Sequence, residues 1–307
     1  MHGHFLLFPL LSLILPSTHG WGDVGHRTVA YLAEKYLDNR GIQLVDDLLS
    51  QDETPEISDA AVWADTVKRA LPYSRPWHYI DAVDNPPESC GLDYQRDCNE
   101  GCIISALENM THRVRNPFQP INEQAESLKF LIHFLGDLHQ PLHVENKSRR
   151  GNDIPVTFDN RHTDTNLHSI WDTDIPHKIN GLKHNLKHHD EKTAAAEWAY
   201  RLYSSGKLPP LPAEDCVDVI DPLKCLLLWA GETNAINCAF VFKNGVEWLE
   251  RENLGGEYYD GAVPVVEEQI RRAAVRLAAW LNALAAVRNS AGPLVVQGDL
   301  DWGFSEL

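Results

Sequence analysis

The densest concentration of chemistry in the chain is HFLGDLHQPLH, residues 133–143, where His133, Asp137 and His143 stand among Phe134, Leu135, Leu138 and Leu142. Helical side chains four apart project one above the other. His133 and Asp137 therefore present an imidazole and a carboxylate on one face, a donor pair able to share or bridge metal ions. Pro141 stops the helix, and His143 returns from the loop beyond it. The spacing recurs in NLHSIWD, where His168 and Asp172 are again four apart. A surface ion pair would account for one such pair. It does not account for two in a chain with 15 His, one pair lying on a strongly apolar helix, because buried ionisable groups need partners.

Two shorter motifs lie upstream. In AAVWADTVK, Asp65 stands three residues before Lys68 and four before Arg69, which by itself reads as a helix ion pair. In RPWHYID, His78 sits between aromatics, which by itself reads as a packed histidine in an extended segment. A third motif, WGDVGHRTVA, begins at Trp21 and carries His26 five residues on.

The elements that must position these residues are mostly helical. Residues 124–138 are apolar nearly all round, through Leu128, Leu131, Ile132, Phe134, Leu135 and Leu138, and predict a buried central helix. From Pro264 to Val287, apolar residues at spacings of three and four predict a long amphipathic helix. Further helices are predicted at about 26–38, 41–50, 58–70, 103–115, 189–204 and 226–250. Strand signal is confined to IPVTF, residues 154–158. Pro and Gly cluster at 72–91, 205–214 and 253–264, dividing helices rather than domains, so one domain is expected over 21–288. The tail, 289–307, lacks periodicity and is expected to be loosely held or removed.

The first 20 residues read as a secretory signal: an apolar core from Phe5 to Leu15, a breaking Pro16, then Thr18 and Gly20 as the small residues before a cut. Cleavage leaves Trp21 as the new terminus. No Lys or Arg precedes the core, so a signal anchor is the rival reading, yet the apolar run falls short of the roughly 20 residues needed to span a bilayer. Export fits the six Cys, which in an oxidising compartment are expected to form three disulfides. Six cysteines admit many pairings; the close pairs Cys98 with Cys102 and Cys216 with Cys225 would leave Cys90 for Cys238. Asn109 and Asn146 head glycosylation sequons. The formal charge of −17 excludes a nucleic-acid binder working through a broad basic surface. Bound cations would still let an acidic chain handle phosphate esters.

In order and separation, WGDVGH, WAD, HYID, HFLGDLHQPLH, GNDIPV and NLHSIWD resemble the zinc-dependent single-strand nuclease and 3′-nucleotidase family of fungi and plants, the P-one/S-one nucleases, over nearly the whole mature chain. The resemblance implies a mainly α fold: a single multi-helix domain of the phospholipase C/nuclease type, with a short β-hairpin and a trinuclear metal cleft. It implies three zinc ions. Asp65, His78, His133 and Asp137 would hold one; the backbone N and O of Trp21, with His26 and Asp137, a second; and His143, His168 and Asp172 a third. His139 is not a ligand by this analogy and is expected to pack or to support a ligand through a hydrogen bond.

The family chemistry is in-line attack on phosphorus by metal-activated water. Asp65 and Lys68 carry the catalytic assignments, Lys68 offsetting phosphate charge. Tyr79 corresponds to the aromatic that stacks on a nucleobase, Asp81 to the carboxylate that reads its edge, and Asn152 to the Asn lining the same pocket. The chain departs from the family's GGN motif, with Arg150 before Gly151 and Asn152, which puts base preference in doubt. The implied substrates are single-stranded RNA and DNA and 3′-nucleotides, for a secreted monomer without membrane or stable protein partner. Rival readings are a zinc phospholipase C-like phosphodiesterase and a non-catalytic secreted zinc-binding glycoprotein.

Overall fold

Most positions spaced for helices lie in helices in the computed structural model, which describes residues 21–50, 56–159, 165–182, 188–205 and 216–290. The predicted leader, 1–20, and the tail beyond 290 lie outside the described residues. Helices α1 (Asp23–Glu34), α2 (Asn39–Leu49) and α3 (Ile57–Val67) precede a 3-10 turn, Pro72–His78. The single turn α4 (Tyr94–Asp97), α5 (Ile103–Arg115) and α6 (Ile121–Asp137) follow, then a second 3-10 turn, Pro141–Val144. Next come α7 (Leu167–Ser169), a π turn at Ile170–Asp174, α8 (Ile175–Ile179) and α9 (His188–Ser204). The order closes with α10 (Leu223–Ile236), a π turn at Asn237–Val241, α11 (Val246–Arg251) and α12 (Glu257–Ser290).

The core forms around α6, whose Leu128, Leu131, Phe134 and Leu135 are fully buried. It packs against α5 and α3, while α1 crosses α9, α12 and α3. A helix apolar on every side gains most from the centre of such a bundle, since each face then leaves water. Trp21, Trp171, Trp198, Trp229 and Trp280 are the largest buried side chains. Two of them also join helices by hydrogen bonds, Trp280 Nε1 to Thr111 Oγ1 (3.0 Å) and Trp171 Nε1 to the Tyr258 hydroxyl (3.0 Å).

The predicted helix over 226–250 is in fact three pieces. α10 passes into the π turn carrying Cys238, and Gly245, at φ 79°, reverses the chain before α11. An interrupted helix keeps its apolar spacing locally, so periodicity alone does not reveal the break. Conversely, α12 starts seven residues before Pro264, where proline and glycine read as breakers. Tyr258 and Ala262 bury against the core two turns and one turn ahead of Val266, respectively. Burial of that turn outweighs the hydrogen bond that Pro264 cannot donate. IPVTF forms no ladder among the described residues. Pro155 bridges to Asn166 and Thr157 to Asn253, and the expected hairpin is limited to such isolated pairs and one between Asn85 and Ser89.

All six cysteines pair as the close spacings suggested: Cys98–Cys102, Cys216–Cys225 and Cys90–Cys238. The last spans 148 residues and ties the loop after His78 to the π turn beyond α10. Asn109 and Asn146 are both exposed, as a glycosylation acceptor must be.

Candidate metal centre

Five separate segments deliver donors to one region. α1 carries His26, α3 carries Asp65, and the first 3-10 turn ends on His78. His133 and Asp137 come from the last turns of α6, with His143 just beyond it; His168 and Asp172 come from α7 and the π turn. All eight side chains are at most 8% exposed. Three groups converge closely enough to hold an ion: His26 with Asp65 and His133, His78 with His133 and Asp137, and His143 with His168 and Asp172.

In the middle group, His78 Nδ1 lies 3.0 Å and His133 Nε2 3.1 Å from Asp137 Oδ2, and the two nitrogens are 3.1 Å apart. Each is 3.8 Å from Asp65 Oδ1. Donors on a tetrahedral ion with bonds of about 2.0–2.1 Å stand roughly 3.3 Å apart, so this spacing suits zinc. Asp137 Oδ1 turns the other way, 3.1 Å from His26 Nε2 and 3.7 Å from His143 Nδ1. In the last group, His168 Nε2 is 3.0 Å from Asp172 Oδ2, while His143 Nε2 is 3.9 Å from Asp172 Oδ1.

The donor set fits cations on a further count. Both ring nitrogens of His26, the Nε2 atoms of His143 and His168, and Asp137 Oδ1 are buried without a hydrogen-bond partner. Polar atoms buried in that state are costly unless something satisfies them. Charge points the same way. Burial opposes a proton on His133, yet Asp137 and Asp65 outweigh it and raise the imidazole to about 9. Burial, with the nearby Asp137 charge, pushes Asp172 up to about 6 against the pull of His168, and burial, with His168 and His78, pushes His143 down to about 3 despite Asp137. Carboxylates packed closely enough to draw a proton onto the buried His133 call for positive charge among them, which metal ions supply.

Backbone carbonyls aim the rings. His133 Nδ1 donates to Ala61 O (2.6 Å), His143 Nδ1 to His78 O (2.6 Å) and His168 Nδ1 to Arg150 O (2.7 Å), leaving each Nε2 free to ligate. Gln140, which sequence reasoning passed over, donates from Nε2 to Asp172 Oδ1 (2.5 Å) and accepts from Leu142 N (2.5 Å). Its signal was available: a polar residue just before Pro141, inside the densest motif. His139 packs as expected, held by Leu135 O and Arg276 in the core.

The remaining predicted residues fall around this centre. Lys68 is buried and donates to Asp65 Oδ1 at 2.8 Å, so it is no solvated helix lysine, and Asp65 pairs with it rather than with the exposed Arg69. Tyr79 follows His78 directly, and Asp81 Oδ1 takes a hydrogen bond from Arg150 Nη1. The Asn152 amide donates to Arg149 O (2.8 Å) within its own loop. Trp21 is fully buried, and the next residue, Gly22, donates from N to Asp172 O (2.7 Å), fastening this end of the chain beside the third group.

Gly136 makes room for His26. A Cβ there would stand 2.8 Å from His26 Nδ1, where the ring stacks on His133 at 3.9 Å between centroids. Gly136→Ala favours the helix by about 1 kcal/mol, yet it must push the imidazole off Asp137. We expect activity to fall about 10- to 100-fold, the usual loss when a ligand is misoriented, with one fewer metal ion per chain by atomic emission. Full metal content at parental activity would contradict this role for Gly136.

Residues 21–286 match the family described as S1/P1 Nuclease. Nuclease S1 of Aspergillus oryzae is 42% identical over 277 residues, spanning 88% of this chain and 93% of that protein. Nuclease P1 of Penicillium citrinum is 37% identical over 272 residues, 86% and 97% of the two chains. Endonuclease 2 of Arabidopsis thaliana is 31% identical over 290 residues, 88% and 92%. Similarity running almost from end to end of both partners, across the same segments that converge on Asp137, places this chain in the S1/P1 nuclease family.

Proposed function

We propose that the chain is a secreted, zinc-dependent endonuclease that hydrolyses phosphodiester bonds of single-stranded RNA and DNA to 5′-phosphorylated products, and also removes phosphate from 3′-nucleotides. The observation that carries this reading is the convergence of three buried His/Asp groups around Asp137, with Tyr79 next in the chain to His78. In this reading Asp65, His78, His133 and Asp137 hold one zinc ion. The backbone N and O of Trp21, with His26 and Asp137, hold a second, and His143, His168 and Asp172 a third. Zinc bound there would supply Lewis acidity, lowering the pKa of water to about 7 and neutralising phosphate charge.

The chain's own residues do the rest. Lys68, held by Asp65 at 2.8 Å, places a fixed positive charge where charge grows on the phosphate. Tyr79 offers a ring face to a base, Asp81 an acceptor to its edge, and Asn152 lines the same pocket. A base inside a duplex cannot reach such a platform because its faces are already stacked, which accounts for single-strand preference. With a formal charge of −17, the protein's field repels polyanions, so cations at the site are needed for binding at all. Three disulfides, exposed sequon residues Asn109 and Asn146, and the leader-like first 20 residues support export as a glycosylated protein, which this reading takes as a monomer. No helix among the described residues is long and apolar enough to cross a membrane.

The test is to assay purified protein on single-stranded DNA, duplex DNA and phosphatidylcholine while counting metal by atomic emission. We expect three zinc ions per chain and cleavage of single-stranded DNA that a chelator abolishes and zinc restores. Activity on lipid alone would favour a phospholipase C-like enzyme. Far fewer ions with no hydrolysis would favour a non-catalytic zinc glycoprotein.

A further inference from the structure

The loop after the second 3-10 turn has an unusual backbone. Ser148, Arg149, Arg150 and Gly151 all take left-handed conformations, with φ of 50°, 50°, 60° and 78°. Residues other than glycine are strained there and stay only where their surroundings impose it. Those surroundings are the third His/Asp group: Arg150 O accepts from His168 Nδ1, and Gly151 O accepts from His168 N (3.4 Å). A loop so fastened sends the Arg150 side chain back across Tyr79. Its guanidinium carbon lies 3.6 Å from the ring centroid, and Nη1 reaches Asp81 Oδ1 at 2.5 Å.

That separation is a stacking distance. The guanidinium is planar, as a base is, and it covers Tyr79 while engaging the carboxylate beside it. Both groups that read a base in the proposed function are therefore occupied by the chain itself. The arrangement is also incompletely satisfied, because Arg150 Nε is buried without a hydrogen-bond acceptor and the backbone beneath it is strained. Such a contact is poised to exchange for a better one.

We propose that Arg150 is a specificity-determining residue that plugs the base subsite, so that a base stacks on Tyr79 only by displacing the guanidinium from Tyr79 and Asp81. Every base meets this same displacement cost, which shifts the weight of recognition from base to phosphate. The inference rests on reading Tyr79 and Asp81 as the base platform.

Calorimetric titration of the zinc-replete mature chain, beginning at Trp21, with adenosine 5′-monophosphate and with ribose 5-phosphate gives the affinity ratio of a base-bearing to a base-free ligand. Arg150→Gly, which suits the left-handed backbone, and Arg150→Ala should each raise that ratio about tenfold, the scale of one exchanged cation–π and charge-assisted contact. Tyr79→Ala should bring it close to one. A ratio unchanged or lowered by both Arg150 variants, while Tyr79→Ala still abolishes it, would overturn the plug and leave the base platform standing. A ratio of one in every protein would remove the platform and the plug together.

Discussion

Asp137→Asn is expected to lower kcat/KM on single-stranded DNA by on the order of 10⁴-fold, with loss of metal, while the protein stays folded. The Asp137 carboxylate reaches members of all three His/Asp groups. Oδ2 faces His78 and His133 at 3.0 and 3.1 Å, and Oδ1 faces His26 at 3.1 Å and His143 at 3.7 Å. Burial works against its charge, yet the imidazoles of His133, His143 and His26 hold the carboxyl well below the usual carboxylate range. Asparagine keeps the shape but offers a single acceptor oxygen, and its NH2 donors would face positions meant for cations. Folding should survive because the surrounding core, from Leu131 to Leu138, is unchanged and fully buried or nearly so. Metal content by atomic emission, thermal melting and steady-state kinetics together check this. Near-parental activity in the Asn variant would remove Asp137 as the bridge.

The second large effect is expected at the chain's beginning. A protein left with a few residues ahead of Trp21 should lose about 10²- to 10³-fold in activity and bind one fewer zinc ion, since the proposed α-amino ligand and the charge it would help organise are lost together. An α-amino nitrogen has a lone pair to donate; a peptide nitrogen in the same place does not. The indole of Trp21 is fully buried, and a Cβ on Gly25 would come within 2.7 Å of Trp21 Cβ, so the residue is pressed against the first turn of α1. The two residues that follow the bond cleavage would break are thus both anchored: Trp21 by packing and Gly22 by its hydrogen bond to Asp172. Removing the extension with a protease that leaves Trp21 first should restore both activity and metal. An extended protein as active as the trimmed one would rule out the α-amino ligand.

Much of the site was readable from one-dimensional spacing. The two four-residue His/Asp pairs, the apolar helix beneath the first of them and the Pro141 stop all reflect local geometry, which sequence period encodes directly. The cysteine pairs followed from proximity along the chain in two cases and by remainder in the third. Element ends were less legible. Gly245 and the π turn divide a segment whose apolar spacing continues, and tertiary burial of Tyr258 carries α12 through a proline.

What sequence by itself determined, then, is which donors exist and which of them share a helical face, because those depend on neighbours within one turn. Only the tertiary structure decided which nitrogen of each ring points inward: Ala61 O, 72 residues from His133, and His78 O, 65 residues from His143, make that choice. It also decided that one carboxylate serves all three groups, that Lys68 turns inward to Asp65, and that Arg150, 69 residues from Asp81, lies across the face of Tyr79. Such contacts arise from the packing of remote segments, and spacing along the chain carries no record of which distant carbonyl or ring a side chain will meet.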